Sequence, residues 1–227
     1  METGDCIKTL LGHSDIVCNI AILSNNRIIS CSWDKSIRIW DEESGDCIKI
    51  LNGHTSNVYH IVKKSNECVL SGSSDKTIKL WNVNSGECLR TFTGHLRSVL
   101  CVEVISNERI MSGSKDKSIK IWNVQTGDCL QTLEGHTNYV RCIKVLSGER
   151  IISGSDDGKI KIWCLETNSC IQTINAHSKL IREIQVLSDN QIASSSNDNT
   201  IKIWDLASSN CIKTYQSEST VSSIYVL

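Results

Sequence analysis

The sequence predicts an all-β chain built from five copies of one four-stranded unit, and three observations carry that reading. Trp40, Trp81, Trp122, Trp163 and Trp204 recur every 41 residues without insertion or deletion. His13, His54, His95, His136 and His177 stand 27 residues before each Trp, and Asp34, Asp75, Asp116, Asp157 and Asp198 six residues before it. Between these columns lie short β-branched segments broken by turn residues, with no periodic stretch long enough to favour a helix. Self-similarity at such a period marks a repeat architecture.

Within the first unit, Val17 to Leu23 forms an apolar segment that ends at the polar turn Ser24-Asn25-Asn26. Arg27 to Ser32 is β-branched and precedes the tight turn Trp33-Asp34-Lys35. Ile37 to Trp40 makes a third strand, and Cys47 to Leu51 a fourth beyond a Gly-containing turn. One such unit cannot bury two apolar faces alone, so the units are expected to stack side by side as an array or ring. They occupy 12–52, 53–93, 94–134, 135–175 and 176–216 of a single domain over 1–227, with half-units at 1–11 and 217–227.

Composition excludes several classes. Of 227 residues, 25 are acidic and 24 basic, which argues against a partner held by bulk charge, such as non-specific nucleic acid. No apolar run approaches the ~20 residues of a membrane span, and METGDCIKTLLGH lacks the basic-then-apolar layout of a secretory signal. The expectation is a soluble protein of the cytoplasm, with the nucleus as alternative. Proline is absent where roughly 11 would be average. Six of the 12 cysteines (Cys6, Cys47, Cys88, Cys129, Cys170, Cys211) form a repeat column, read as small buried hydrophobes. No Cys-x-x-Cys occurs, and disulfides are not expected inside a cell.

The Gly-His start, the Ser-x-Ser-x-Asp turn and the Trp-Asp end together resemble the WD-repeat β-propeller family, over essentially the whole chain. Ala176 replaces the Gly of the fifth pair. The turn where many WD repeats carry a proline reads Ser-Asn-Asn and its variants here, residues that turn through side-chain hydrogen bonds. The resemblance implies a propeller of five complete four-stranded blades plus two strands of a further incomplete blade. It also implies that His, turn Asp, Trp and one strand serine form a buried network in each blade. In the first unit that serine is Ser30 or Ser32. Read as catalytic, the same residues would make five identical active sites, so the repetition favours the structural role.

Other columns read more plainly. Asn19, His60, Cys101, Cys142 and Glu183 share an innermost register, but ligands on non-adjacent blades stand too far apart for bonds of ~2.0–2.3 Å. No metal, cofactor or catalytic residue is therefore expected. Arg38, Lys79, Lys120, Lys161 and Lys202 are expected to lie over apolar surface with their charged ends in water.

Binding can reside where the repeats differ. The residue before the turn Asp is Trp33, Ser74, Lys115, Asp156 or Asn197, and the family resemblance puts it on the top face near the channel mouth. Trp33 is the one tryptophan outside the scaffold column, expected as an exposed interface anchor. Tyr59, Arg141 and Arg182 in the inner strands and Tyr139 after a His complete the candidate partner-binding residues. Together they suit a peptide bearing acidic and aromatic or apolar groups.

The ends read as an outer strand at Cys6 and an inner strand at Val221–Leu227, making 22 strands in all. A fragment of a longer propeller, a five-blade ring with surplus residues, and an open form that recruits or self-associates through its blade edges all fit, the first and last best. The functional expectation is a non-catalytic scaffold or adaptor for other proteins. Alternatives are a piece of a longer WD-repeat protein, such as a ubiquitin-ligase substrate receptor of the F-box type, and, less favoured, a propeller enzyme.

Overall fold

The computed structural model describes residues 6–24, 26–221 and 223–224. Among them are twenty strands and no helix. The first sheet holds β1 (Val17–Ile22), β2 (Arg27–Ser32), β3 (Ile37–Asp41) and β4 (Cys47–Leu51). The second holds β5 (Val58–Lys63), β6 (Cys68–Ser73), β7 (Ile78–Asn82) and β8 (Cys88–Phe92). The third holds β9 (Val99–Val104), β10 (Arg109–Ser114), β11 (Ile119–Asn123) and β12 (Cys129–Leu133). The fourth holds β13 (Val140–Leu146), β14 (Arg150–Ser155), β15 (Lys159–Cys164) and β16 (Ser169–Asn175). The fifth holds β17 (Ile181–Ser188), β18 (Gln191–Ser196), β19 (Thr200–Asp205) and β20 (Asn210–Gln216). Every sheet is an antiparallel meander in chain order. Its first strand packs beside the first strands of neighbouring sheets, so β1, β5, β9, β13 and β17 are innermost. No comparable contact joins β17 to β1, and the sheets do not close into a ring.

The core lies between blades. Ile29, Ile37, Ile39 and Leu51 of the first sheet meet Val58, Ile61, Val69 and Trp81 of the second. The other junctions repeat this, as where Leu70, Ile78 and Phe92 meet Val99, Val102 and Trp122. The scaffold cations lie over apolar surface as expected, Arg38 over the Trp40 ring and Lys202 over Trp204. Their charged ends are not left to water, however: Lys79 and Lys120 reach threonines of the next strand at 2.8 and 2.9 Å, and Lys202 donates to Ala176 O at 2.9 Å.

Two register slips recur. One falls between Trp and the outer strand: Trp40 faces Cys47, Ile39 faces Lys49, and Ile48 is skipped. This bulge corrects the reading of the cysteine column. Cys6, Cys88, Cys129, Cys170 and Cys211 are exposed and Cys47 is half-buried. Each outer-strand thiol donates weakly to the carbonyl two residues on, as Cys129 does to Gln131 at 3.3 Å. An extra residue breaks the in–out alternation that would have faced the thiol inward.

The ends also differ from expectation. Residues 6–12 form no strand, and neither do 221, 223 and 224; the remainder of Val221–Leu227 lies outside the described residues. Both segments nonetheless hold blade positions. Lys8 and Leu10 flank Gly45 as Lys49 and Leu51 flank Gly86, and Lys8 Nζ donates to Glu43 O as Lys49 Nζ does to Asn84 O. Ile224 N–H donates to Glu183 Oε2 at 2.9 Å, as Ile61 N–H does to Asn19 Oδ1 at 3.2 Å. The first segment stands where an outer strand before blade 1 would run, the second where an inner strand after blade 5 would run.

Candidate functional site

The repeated polar residues converge inside each blade. His Nδ1–H donates to the turn carboxylate at 2.7 Å in the pairs His13–Asp34, His54–Asp75 and His95–Asp116. The pairs His136–Asp157 and His177–Asp198 stand at 2.9 Å. On the far side of the ring, Nε2 lies 2.7 to 2.8 Å from Oγ of Ser30, Ser71, Ser112, Ser153 or Ser194. That same Oγ accepts the indole N–H of Trp40, Trp81, Trp122, Trp163 or Trp204 at 2.8 to 2.9 Å. The open choice in the first blade therefore falls to Ser30. Ser32 instead donates to Asp15 O and accepts the N–H of Asp34.

This chain fixes every proton: with Nδ1–H on the carboxylate, Nε2 accepts the serine O–H, and the serine lone pair takes the tryptophan. Aspartate, histidine and serine are spaced as in a nucleophilic triad. The serines are 0 to 4% exposed, however, and their oxygens are already occupied, so no substrate atom can reach them. Burial alone would raise the aspartate pKa values. Hydrogen bonds outweigh it and hold all five below the ordinary range, Asp198 at about 2. Ser36 is the leading donor to Asp34, His54 to Asp75, His95 to Asp116, His136 to Asp157 and Thr200 to Asp198.

The fifth pair departs from the pattern for a structural reason. Gly158 stands in the turn register of Lys35, Lys76, Lys117 and Asn199, all with φ between 65 and 74°. Its carbonyl accepts the N–H groups of both Ala176 and His177, and a Cβ on it would lie 2.4 Å from His177 O. The segment entering the last blade thus packs on Gly158, and Ala176, with no positive φ, serves where the other pairs use Gly.

The variable residues meet at one end of the inner strands. A second recurring bulge skips Cys18, Tyr59, Arg141 and Arg182 in β1, β5, β13 and β17, and Leu100 in β9. Bulges re-aim side chains. Here Tyr59, Arg141 and Arg182 join Trp33, Lys115 and Tyr139 around a depression of about 460 Å³, with Cys18 and Leu100 in its wall. Trp33 meets the Tyr59 ring edge-on at 6.4 Å. Lys115 Nζ stands 5.4 Å from the Tyr59 ring centre and 5.8 Å from that of Tyr139. Trp33 is half-buried rather than exposed, because Tyr59 covers it, and its indole N–H is buried beside the Cys18 thiol.

Three candidates stand behind this wall rather than in it. Asp156 takes the Arg141 guanidinium through two hydrogen bonds, one of 2.9 Å from Nη2. Asn197 accepts from Arg182 Nε at 2.6 Å, and Ser74 pairs with Ser98 at 3.1 Å. Among the described residues neither Lys115 nor Arg182 has a carboxylate partner within salt-bridge distance, so the depression keeps positive charge.

Below it lies a cavity of about 360 Å³ lined by Asn19, His60, Cys101, Cys142, Lys144 and Glu183, among others. Burial, with the Lys144 cation second, holds His60 down at about 4, so its ring is neutral at pH 7. Burial pushes Cys142 up to about 12 and Cys101 well above its ordinary value, leaving both as inert thiols. Lys144 bridges to Glu103 at 3.0 Å. Among the described residues no three His, Cys, Asp or Glu side chains converge as a metal-ligand set.

A stacked series of four-stranded meanders, each tied by a His-Asp-Ser-Trp network, defines a β-propeller repeat protein. Five consecutive matches to the family model "WD domain, G-beta repeat" cover residues 4–41, 45–82, 86–123, 127–164 and 168–205. The chain belongs to the WD-repeat family. Each match begins at an outer-strand position and ends just past Trp, so the first takes in the 6–12 segment. No curated protein matches the chain significantly. Members of this family generally serve protein–protein interaction and are typically non-catalytic scaffolds.

Proposed function

We propose that this chain is a non-catalytic scaffold or adaptor that binds a protein partner on the face bearing Trp33. The segment it binds is extended, with an acidic group beside an aromatic or apolar side chain. One observation carries the reading: residues from all five repeats, differing between repeats except for the pair Arg141 and Arg182, border a single depression that combines aromatic rings with the uncompensated cations Lys115 and Arg182. The cations suit a carboxylate, and Trp33, Tyr59, Tyr139 and Leu100 suit a ring or branched chain. Net charge contributes little, so the specificity is local.

The test is selection of peptides from a random displayed library on the intact chain, followed by binding to variants. Selected sequences should share acidic and aromatic residues, and Arg182→Ala should weaken them with unchanged melting. Peptides without acidic residues, bound equally well by Arg182→Ala, would sink the proposal.

A further inference from the structure

The bulge in each outer strand does more than expose a thiol. In blade 3 Lys120 pairs with Thr132 and Trp122 with Cys129, and Leu130 is skipped between them. Unbroken alternation would set Cys129 opposite Asn123, on the other side of the sheet. The slip instead brings Cys129, Thr132 and Lys120 to one face. There Lys120 Nζ donates to Thr132 Oγ1 at 2.9 Å, and Cys129 Sγ lies 3.7 Å from the same oxygen.

Blade 2 repeats the cluster: Lys79 Nζ donates to Thr91 at 2.8 Å, and Cys88 Sγ lies 3.7 Å from that hydroxyl. In blade 4 Lys161 Nζ donates to Thr173 at 2.8 Å and stands 3.8 Å from Cys170 Sγ itself. All three thiols are exposed. Among the described residues none of the three lysines has a carboxylate within salt-bridge distance, so each ammonium is open to an anion. Blade 5 lacks the arrangement. Cys211 is exposed and 3.4 Å from the Thr214 hydroxyl, but Lys202 donates to the carbonyl of Ala176 instead, the residue that stands where the other pairs have Gly.

We infer that Cys88, Cys129 and Cys170 are modification sites for small disulfides that carry carboxylates. The ammonium holds a guest carboxylate beside the thiol, the thiol releases its proton to solvent, and Sγ attacks the nearer guest sulfur. The guest S–S bond breaks as the new S–S bond forms, and the departing thiolate takes up a proton. The cysteine is oxidised to the mixed disulfide, half of the guest leaves as a reduced thiol, and no other oxidant is consumed. The product has lost the S–H donor that Cys129 gives to Gln131 O at 3.3 Å, so thiolation frees an acceptor on the outermost strand. These clusters lie on the outer strands of complete blades, whereas the Trp33 depression lies at the inner ones, and they stand without that reading.

The probe is oxidised glutathione, added to the reduced intact chain, quenched at intervals and read by peptide mass spectrometry, so that every cysteine is timed in one sample. Cys88, Cys129 and Cys170 should react about fivefold faster than Cys211, the factor that one contact between unit charges about 4 Å apart gives in water. Lys161→Met should slow Cys170 to the rate of Cys211 and leave Cys88 and Cys129 unchanged. Lys120→Met should do the same to Cys129 alone. Hydroxyethyl disulfide, which has no carboxylate, should react with all four thiols at similar rates. Oxidised glutathione reacting with Cys211 as fast as with the other three would overturn the assignment. So would a lack of effect of both lysine variants on their own cysteines, or the same preference shown by the neutral disulfide.

Discussion

Asp116 Oδ2 takes the Nδ1–H of His95 at 2.7 Å, and everything else in the third blade's polar network is ordered around that bond. The same carboxylate accepts the backbone N–H of Leu96 at 2.9 Å, and its other oxygen the N–H and O–H of Ser118. Asp116→Ala strands four donors, of which the His95 group is fully enclosed. The expected loss is about 3 kcal/mol in chemical denaturation, since orphaned donors forfeit their solvation. Asp116→Asn, which keeps an acceptor, should lose less. Unchanged stability in Asp116→Ala would contradict the network's role.

Acid should weaken the fold in two stages. His60 and His177 both have lowered pKa values, chiefly through burial, His60 to about 4. The unfolded chain takes up protons near pH ~6.5 that the native state refuses, so stability falls as pH drops from there toward 4. The five network aspartates, held below their unfolded value of ~3.9, contribute stability above it that is lost as pH falls through their folded values. For Asp198 that second window runs down to about 2. Thermal melts from pH 8 to 3 should show a gradual decline below 6.5 and a steeper one below 4. A melting temperature constant between pH 7 and 4.5 would contradict the first stage.

Gly158 should tolerate no side chain, although lysines serve at the equivalent turns. Its φ of 74° is shared by Lys117, so the backbone angle alone does not require glycine. The contact with His177 O at 2.4 Å from a built Cβ does. Gly158→Ala should cost about 2 kcal/mol by forcing the two segments apart. Lys117→Gly should leave stability within about 1 kcal/mol of the parent, losing left-handed strain while gaining chain entropy. Equal melting of Gly158→Ala and the parent would show that the close approach is relieved at no cost.

Thiol labelling should divide the cysteines by position. Cys88, Cys129, Cys170 and Cys211 are exposed, and Cys31, Cys101 and Cys142 are buried. Under native conditions an aromatic disulfide reagent should modify the first group readily and the second only on unfolding. Mass spectrometry of labelled peptides reads the difference directly. Protection of the outer column would restore the buried assignment that the strand bulge overturns.

The fold was legible because its determinants repeat. Five Trp, His and Asp columns state the strand order and the network together, and insertion-free spacing leaves little freedom in alignment. What escaped reading is what alternation alone cannot resolve. Ser30 and Ser32 lie two residues apart on the same strand, and both are buried; only the reach of Trp40 Nε1 separates them. The outer cysteines were misassigned because a bulge at Ile48 and its equivalents turns the strand by one residue. The same device on the inner strands explains why Tyr59, Arg141 and Arg182 reach the depression. Their variability was visible, but their direction was not. The packing of Tyr59 over Trp33, which half-buries the presumed anchor, joins residues 26 positions apart on neighbouring blades.

The central claim is that the depression around Trp33 and Tyr59 binds a partner segment. Peptides selected on the intact chain should bind Trp33→Ala at least about tenfold more weakly, as expected for loss of an aromatic anchor. The variant's melting temperature should stay within a few degrees of the parent, because Trp33 stands outside every blade network. Full affinity retained by a folded Trp33→Ala chain would contradict the account.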